Sequence, residues 1–167
     1  MSEIMKPTAK LSVFDRLLLD ESWESVRSQD RANRLARAAV RRDLEILFNS
    51  RPRWRSWDPA LTELAVSNLS YGLPDIQTMQ IADNQMRQTF RQLMEDAIAK
   101  FEPRLKDVRV EIPSSADRLD RSFRFRIHAI LVSDADGEPI VYDTVLDRTA
   151  RTLSIVGADR ALDSGSL

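Results

Sequence analysis

Glu102, Asp107 and Glu111 are the first residues at which bond-breaking chemistry would be sought. Two carboxylates roughly 5 to 9 Å apart, one of them kept protonated by burial, are sufficient to hydrolyse a glycoside. Such pairs arise readily by chance in a chain with 26 acidic residues, and Arg104, two positions after Glu102, favours the ionised form that a general acid must avoid. The single histidine, His128, falls on the polar side of an alternating segment with no serine signature nearby, so it has no nucleophile to activate. One histidine and no cysteine leave a metal without anchoring ligands. Arg51, Arg53 and Arg55 alternate with Trp54 and Trp57, a pattern suited to stacking on nucleic-acid bases and equally to a connecting loop whose indoles cover the edge of a core. These residues point to no catalytic centre, no cofactor and no metal.

The rest of the chain sets what must position them. At 167 residues and 43% hydrophobic content it suits a single domain able to bury a core without disulfides. The 25 basic and 26 acidic side chains nearly cancel, so no global field gathers nucleic acid or anionic lipid. Charge is nonetheless uneven: nine arginines face four acids between Glu24 and Arg55, whereas seven acids face three arginines from Val132 to Leu167. Such polarity suits a subunit that meets different neighbours at its two ends. The absence of cysteine fits a reducing compartment, and the short charged run "FDRLLLDE" is neither a membrane span nor a secretion signal. A cytoplasmic location is expected.

Residues 1–10 read as a flexible arm, and Ser12 is placed to cap a short amphipathic helix carrying Val13, Phe14, Leu17 and Leu18, which must dock on its own domain or on a partner. From Gln29 to Asn49, Leu35, Ala36, Ala39, Val40, Leu44, Leu47 and Phe48 recur at three- and four-residue spacing, predicting a helix that Pro52 stops. Asp58-Pro59 opens another through "ALTELAVSNLS". Tyr71, Gly72, Pro74 and Asp75 form a candidate structural turn, with Gly72 supplying the left-handed backbone. Asp83 is expected to cap a long helix whose stripe is Met86, Phe90, Leu93, Met94, Ala97, Ile98 and Phe101.

After Pro103 the apolar period changes to two. Val108 to Ile112, Phe123 to Leu131, "IVYDTVL" and "RTLSIV" predict four strands, with a turn at Asp136-Gly137. The expected fold is α+β: N-terminal helices packed on an antiparallel meander, as one domain over residues 11–157, with residues 158–167 as a flexible tail. At the change of period stand Glu102, Pro103 and Arg104. Proline ends the helix and stiffens the backbone there. The flanking charges are then set either to project from a rigid corner and grip a partner, or to clasp groups of their own junction.

"LSVFDRLL", "VRRDLEILFNSRPRW", "LSYGLPD" and above all "FEPRLKDVRV" resemble the TssE family of type VI secretion baseplate subunits, within the phage-tail baseplate wedge proteins once labelled lysozyme-related. The resemblance runs in order over about residues 11–156. It implies a structural, non-enzymatic subunit of a sixfold contractile injection machine, assembled at the cytoplasmic face of the inner membrane. It implies the wedge proteins TssF and TssG and the contractile sheath as partners, with no nucleic acid and no membrane insertion. It also implies that Glu102, Pro103 and Arg104 hold the partners' helical bundle. Sheath subunits that link by exchanging strands need an exposed sheet edge. "IVYDTVL", with Val141, Asp143 and Val145, and "RTLSIV" are the candidate edges.

Overall fold

A computed structural model of the chain describes residues 13, 17, 29–52, 58, 60–74, 84–113, 122–132, 137–147 and 149–158. Helix α1 spans Gln29–Asn49, a single turn α2 spans Thr62–Ala65, and α3 spans Asn84–Phe101. Strands β1 (Leu105–Glu111), β2 (Ser122–Leu131), β3 (Glu138–Asp147) and β4 (Thr152–Ala158) follow in an antiparallel sheet of order β1-β2-β3-β4. The α+β meander expected from the change of period is therefore the observed architecture.

Alternation decides which sheet face is covered. Phe123, Phe125, Ile127, Ala129 and Leu131 of β2, with Ile140, Tyr142 and Leu146 of β3 and Leu153 and Ile155 of β4, are all buried. Val40, Leu44, Leu47 and Phe48 of α1 and Phe90, Met94 and Ile98 of α3 meet them in one continuous core. Phe90 lies edge-on to both Phe123 and Phe125, with ring centroids 5.4 and 5.3 Å away, so a single side chain fixes the height of α3 above β2. The opposite face stays in solvent. There Arg126 pairs with Asp143 at 2.8 Å and His128 lies 3.1 Å from Glu111, which makes the lone histidine a surface residue, as its polar-face position predicts.

Three local expectations change. Met86 is 39% exposed, so the buried stripe of α3 begins at Phe90. The helix expected through "ALTELAVSNLS" shrinks to one turn and is not capped by Asp58, whose Oδ1 accepts the Ala60 N–H ahead of it; Leu61 precedes the turn with no side-chain cap bond. Its successors explain why: Ser67 Oγ donates to the Leu64 carbonyl and Ser70 Oγ to those of Ala65 and Ser67, drawing off acceptors that a continuing helix needs. Leu61 and Val66 are left exposed beside it. Finally, Ala158 belongs to β4, not to the tail.

The chain reverses between β3 and β4 through Asp147, whose Oδ1 accepts the N–H groups of Thr149 and Ala150, while Arg151 takes a left-handed φ of 59°. Of the expected first helix only Val13 and Leu17 are described, and both are exposed. Residues 53–57 of the Arg/Trp stretch, Asp75, the Asp83 cap, Asp136, the arm at 1–10 and the tail from 159 lie outside the described residues.

Candidate functional site

The corner at Glu102, Pro103 and Arg104 is built by the end of α3. The Glu102 N–H makes the last helical bond, to the Ile98 carbonyl at 2.8 Å, and the Leu105 N–H returns to the Glu102 carbonyl at 3.1 Å. Pro103 has no N–H to continue the ladder, so the chain turns directly into β1. Its ring is exposed on the rim of the corner.

The two charges do not project outward. Glu102 is only 4% exposed, and its carboxylate takes a two-point contact from Arg104: Nε to Oε1 at 2.6 Å and Nη2 to Oε2 at 2.5 Å. The Arg104 N–H adds a longer bond to Oε1, at 3.3 Å. Arg104 Nη2 also reaches Asp43 Oδ2 on α1 at 2.5 Å, and Asp43 Oδ1 receives Nε and Nη2 of Arg42 at 3.0 and 2.8 Å. Of the two readings of this corner, the observed side-chain bonds are those of an internal clasp. A fork between two carboxylates joins α1, the end of α3 and the start of β1.

The electrostatics follow from this geometry. Hydrogen bonding to Glu102 is the main reason the Arg104 guanidinium holds its proton even more firmly than usual; burial opposes this, and the charge of Glu102 and the bond and charge of Asp43 reinforce it. With both oxygens of Glu102 engaged by one arginine, the carboxylate is not presented to a sugar, as a glycosidase acid would be.

Tyr71 completes the junction. Its ring stands edge-on to Phe101 at 5.1 Å, and Lys100 Nζ lies 4.9 Å from the centre of the Phe101 ring. Burial, then the negative charges of Asp43 and Glu102, raise the phenol's pKa above its ordinary 10.0. A phenol that binds its proton more tightly in the folded state contributes stability that is complete below its unfolded pKa and is lost as pH rises through the folded one. Unfolding free energy should therefore fall as pH climbs above 10, and Tyr71→Phe should flatten that fall. Parallel urea titrations of both proteins at rising pH check this; identical slopes would mean that folding does not raise the phenol's pKa.

Gly72 ties the same turn to α1. At a φ of 113° it lets the Leu73 N–H bond the Ser50 carbonyl at 3.0 Å. Gly72 and Leu73 thus lie against the end of α1. The sequence indicates Glu102, Pro103, Arg104 and this turn; Asp43 it does not single out. The one available signal is a lone acid directly after Arg41 and Arg42 on the polar side of α1.

The edge expected at Val141, Asp143 and Val145 requires correction. Asp143 and Val145 lie on β3 between β2 and β4 and pair with both, so their backbone groups are already used by the sheet, and Val141 pairs with His128 of β2. The meander order leaves β1 and β4 as the edge strands. β1 is broken by a register shift between Lys106 and Arg109, where Asp107 takes a φ of 50°, and Glu95 Oε1 of α3 accepts the Val110 N–H at 2.8 Å. Of the two strands suggested by sequence, only "RTLSIV" forms an edge.

Among the described residues no helix is long and apolar enough to cross a membrane, and no three His, Asp or Glu side chains gather as metal ligands. A family model described as baseplate wedge protein gp25 matches residues 34–136, more than half of the chain. The match runs from α1 through α3, the charged clasp, β1 and β2. Comparison with curated proteins and with solved structures returns no match.

Proposed function

From its membership of the gp25 family of baseplate wedge proteins, we propose that this chain is the TssE-type subunit of a type VI secretion baseplate. In this reading it binds TssF and TssG in the wedge, offers the surface on which the contractile sheath starts to polymerise, and works without catalysis at the cytoplasmic face of the inner membrane. The family match across the clasp carries the reading, together with the motif "FEPRLKDVRV" that the clasp occupies.

The corner at Glu102, Pro103 and Arg104 remains the proposed wedge contact, with its roles redistributed. Pro103 lies on the exposed rim, while Glu102 is a positioning residue that acts through Arg104. A corner already tied to α1 presents one fixed shape to a helical bundle, so little ordering cost accompanies docking.

Purification of the tagged chain at native expression tests the assignment. Both wedge proteins should elute with it, and the isolated chain should leave the turbidity of purified cell walls unchanged. Lysis of those walls that disappears in Glu102→Gln would reverse the assignment in favour of peptidoglycan hydrolysis.

A further inference from the structure

Helices α1 and α3 fill one face of the sheet, and their side chains also engage its edge strands. On β4 the backbone of Leu153 is bonded by Asn49 and that of Ile155 by Glu45 and Arg41, while on β1 the Val110 N–H is bonded by Glu95. What the sheet still offers a neighbour is its second face. The charges along the middle of that face are satisfied there: Arg126 pairs with Asp143 at 2.8 Å, and Glu111 lies 3.1 Å from His128. Those on either side are not. Arg124, opposite Val145, and Arg109, opposite His128, are both exposed, and neither has a carboxylate partner among the described residues.

Beside Arg124 the face carries a depression of about 340 Å³. Its β4 side is open because Gly157 stands opposite Asp143 without a side chain, and because the register shift at that point leaves Val156 unmatched and 64% exposed. Val145 and Val156 make the walls apolar, and Arg124 is the one charge in them that is not already answered. Glu111 and Asp143 also border the space, so a multiply charged anion such as phosphate is repelled. A single carboxylate next to an aliphatic side chain suits it: the carboxylate takes the guanidinium fork, and the aliphatic group fills the gap over Gly157. A sheet face is buried by a helix or by a second sheet, and helices already cover the other side of this one. Arg109 is level with His128, four residues along β2 from Arg124, so the two free guanidiniums are about 14 Å apart along the strands. Two to three turns of a helix, at about 5.4 Å each, span the same distance.

We propose that this face receives an amphipathic helix of a partner protein, laid along the strands, with an apolar side chain in the depression over Gly157 and carboxylates two to three turns apart on Arg124 and Arg109. Charge complementarity selects this occupant. A basic segment would be repelled at both ends, and a purely apolar one would cover two guanidiniums without pairing them, whereas acids at that spacing satisfy both. Such a helix binds here whether or not the chain works in a baseplate.

Photo-crosslinking of the full chain at native expression tests the docking face, with a benzophenone amino acid in place of Ser154, which lies opposite Val145 beside the depression. Illumination should join this position to one partner, and mass spectrometry should place the crosslink in a segment with helical apolar spacing and flanking acids. Arg124→Glu should lower the crosslink yield about tenfold, and exchanging the mapped acid for arginine should restore it in that variant. Gly157→Leu should lower the yield too, by filling the gap; a Cβ there meets only the Asp143 side chain, 3.3 Å from Oδ2, so the strand can accept it. Both variants should keep the native urea midpoint, which separates lost docking from lost folding. No crosslink, or a yield that ignores both substitutions, would overturn the proposal. A crosslink to a second copy of this chain or to a basic segment would overturn it as well, because the occupant would then not be an acidic helix.

Discussion

Replacing Arg104 by alanine is expected to lower the unfolding free energy of the isolated chain by roughly 3 to 5 kcal/mol, the usual cost of breaking a buried ion pair on one side. The cost comes from what remains. Glu102, at 4% exposure, would be left with neither water nor a guanidinium to meet its carboxyl group, and Asp43 would lose its tie to the start of β1. Glu102→Gln with Arg104→Met should cost less than Arg104→Ala alone, because a buried pair replaced as a unit leaves no orphan charge. Urea unfolding of the three proteins separates these cases. A loss of under about 1 kcal/mol for Arg104→Ala would match a solvent-screened surface pair and contradict the clasp.

Gly72→Ala is the second large effect. A Cβ built there lies 2.4 Å from the Ser50 carbonyl oxygen, 2.5 Å from its carbon and 2.8 Å from the Arg51 nitrogen. All three are backbone atoms at the end of α1, so no side chain can swing aside. The backbone adds its own strain, because a φ of 113° is one that an alanine rarely adopts. Strain of about 1 to 3 kcal/mol and overpacking of about 1 to 3 kcal/mol together predict a thermal midpoint well below the native one, with the Leu73 amide losing its protection. A variant as stable as the native chain, with Leu73 still protected, would show that the turn can shift away from α1 at little cost.

Periodicity carried most of the fold into view. The change from three-and-four spacing to strict alternation after Pro103 marks where α3 yields to β1, and the alternation from Phe123 to Leu131 specifies the buried face of β2 residue by residue. Strand order was less legible. "IVYDTVL" reads as well for an edge as for an interior strand until its pairing on both sides is seen, because Val141, Asp143 and Val145 lie on a solvent face in either case. The helix expected after Asp58 failed because apolar spacing says nothing about the Ser67 and Ser70 hydroxyls that take its carbonyls.

The site was legible in identity but not in direction. A proline between an acid and a base announces a rigid corner, yet which way the charges turn depends on Asp43, 61 positions from Arg104 and brought there only by the packing of α1. Arg41, Glu45 and Asn49 were hidden for the same reason. They look like an ordinary solvated helix face, and only the position of β4 alongside shows that their polar atoms bond its backbone at Leu153 and Ile155.

Following a fluorescent sheath subunit in cells that lack this chain tests the proposed role as a structural subunit on which a contractile sheath is assembled. Sheath fluorescence should stay diffuse without the chain, and full-length tubes should return when it is restored. Tubes that form at normal frequency and length in its absence would contradict that role.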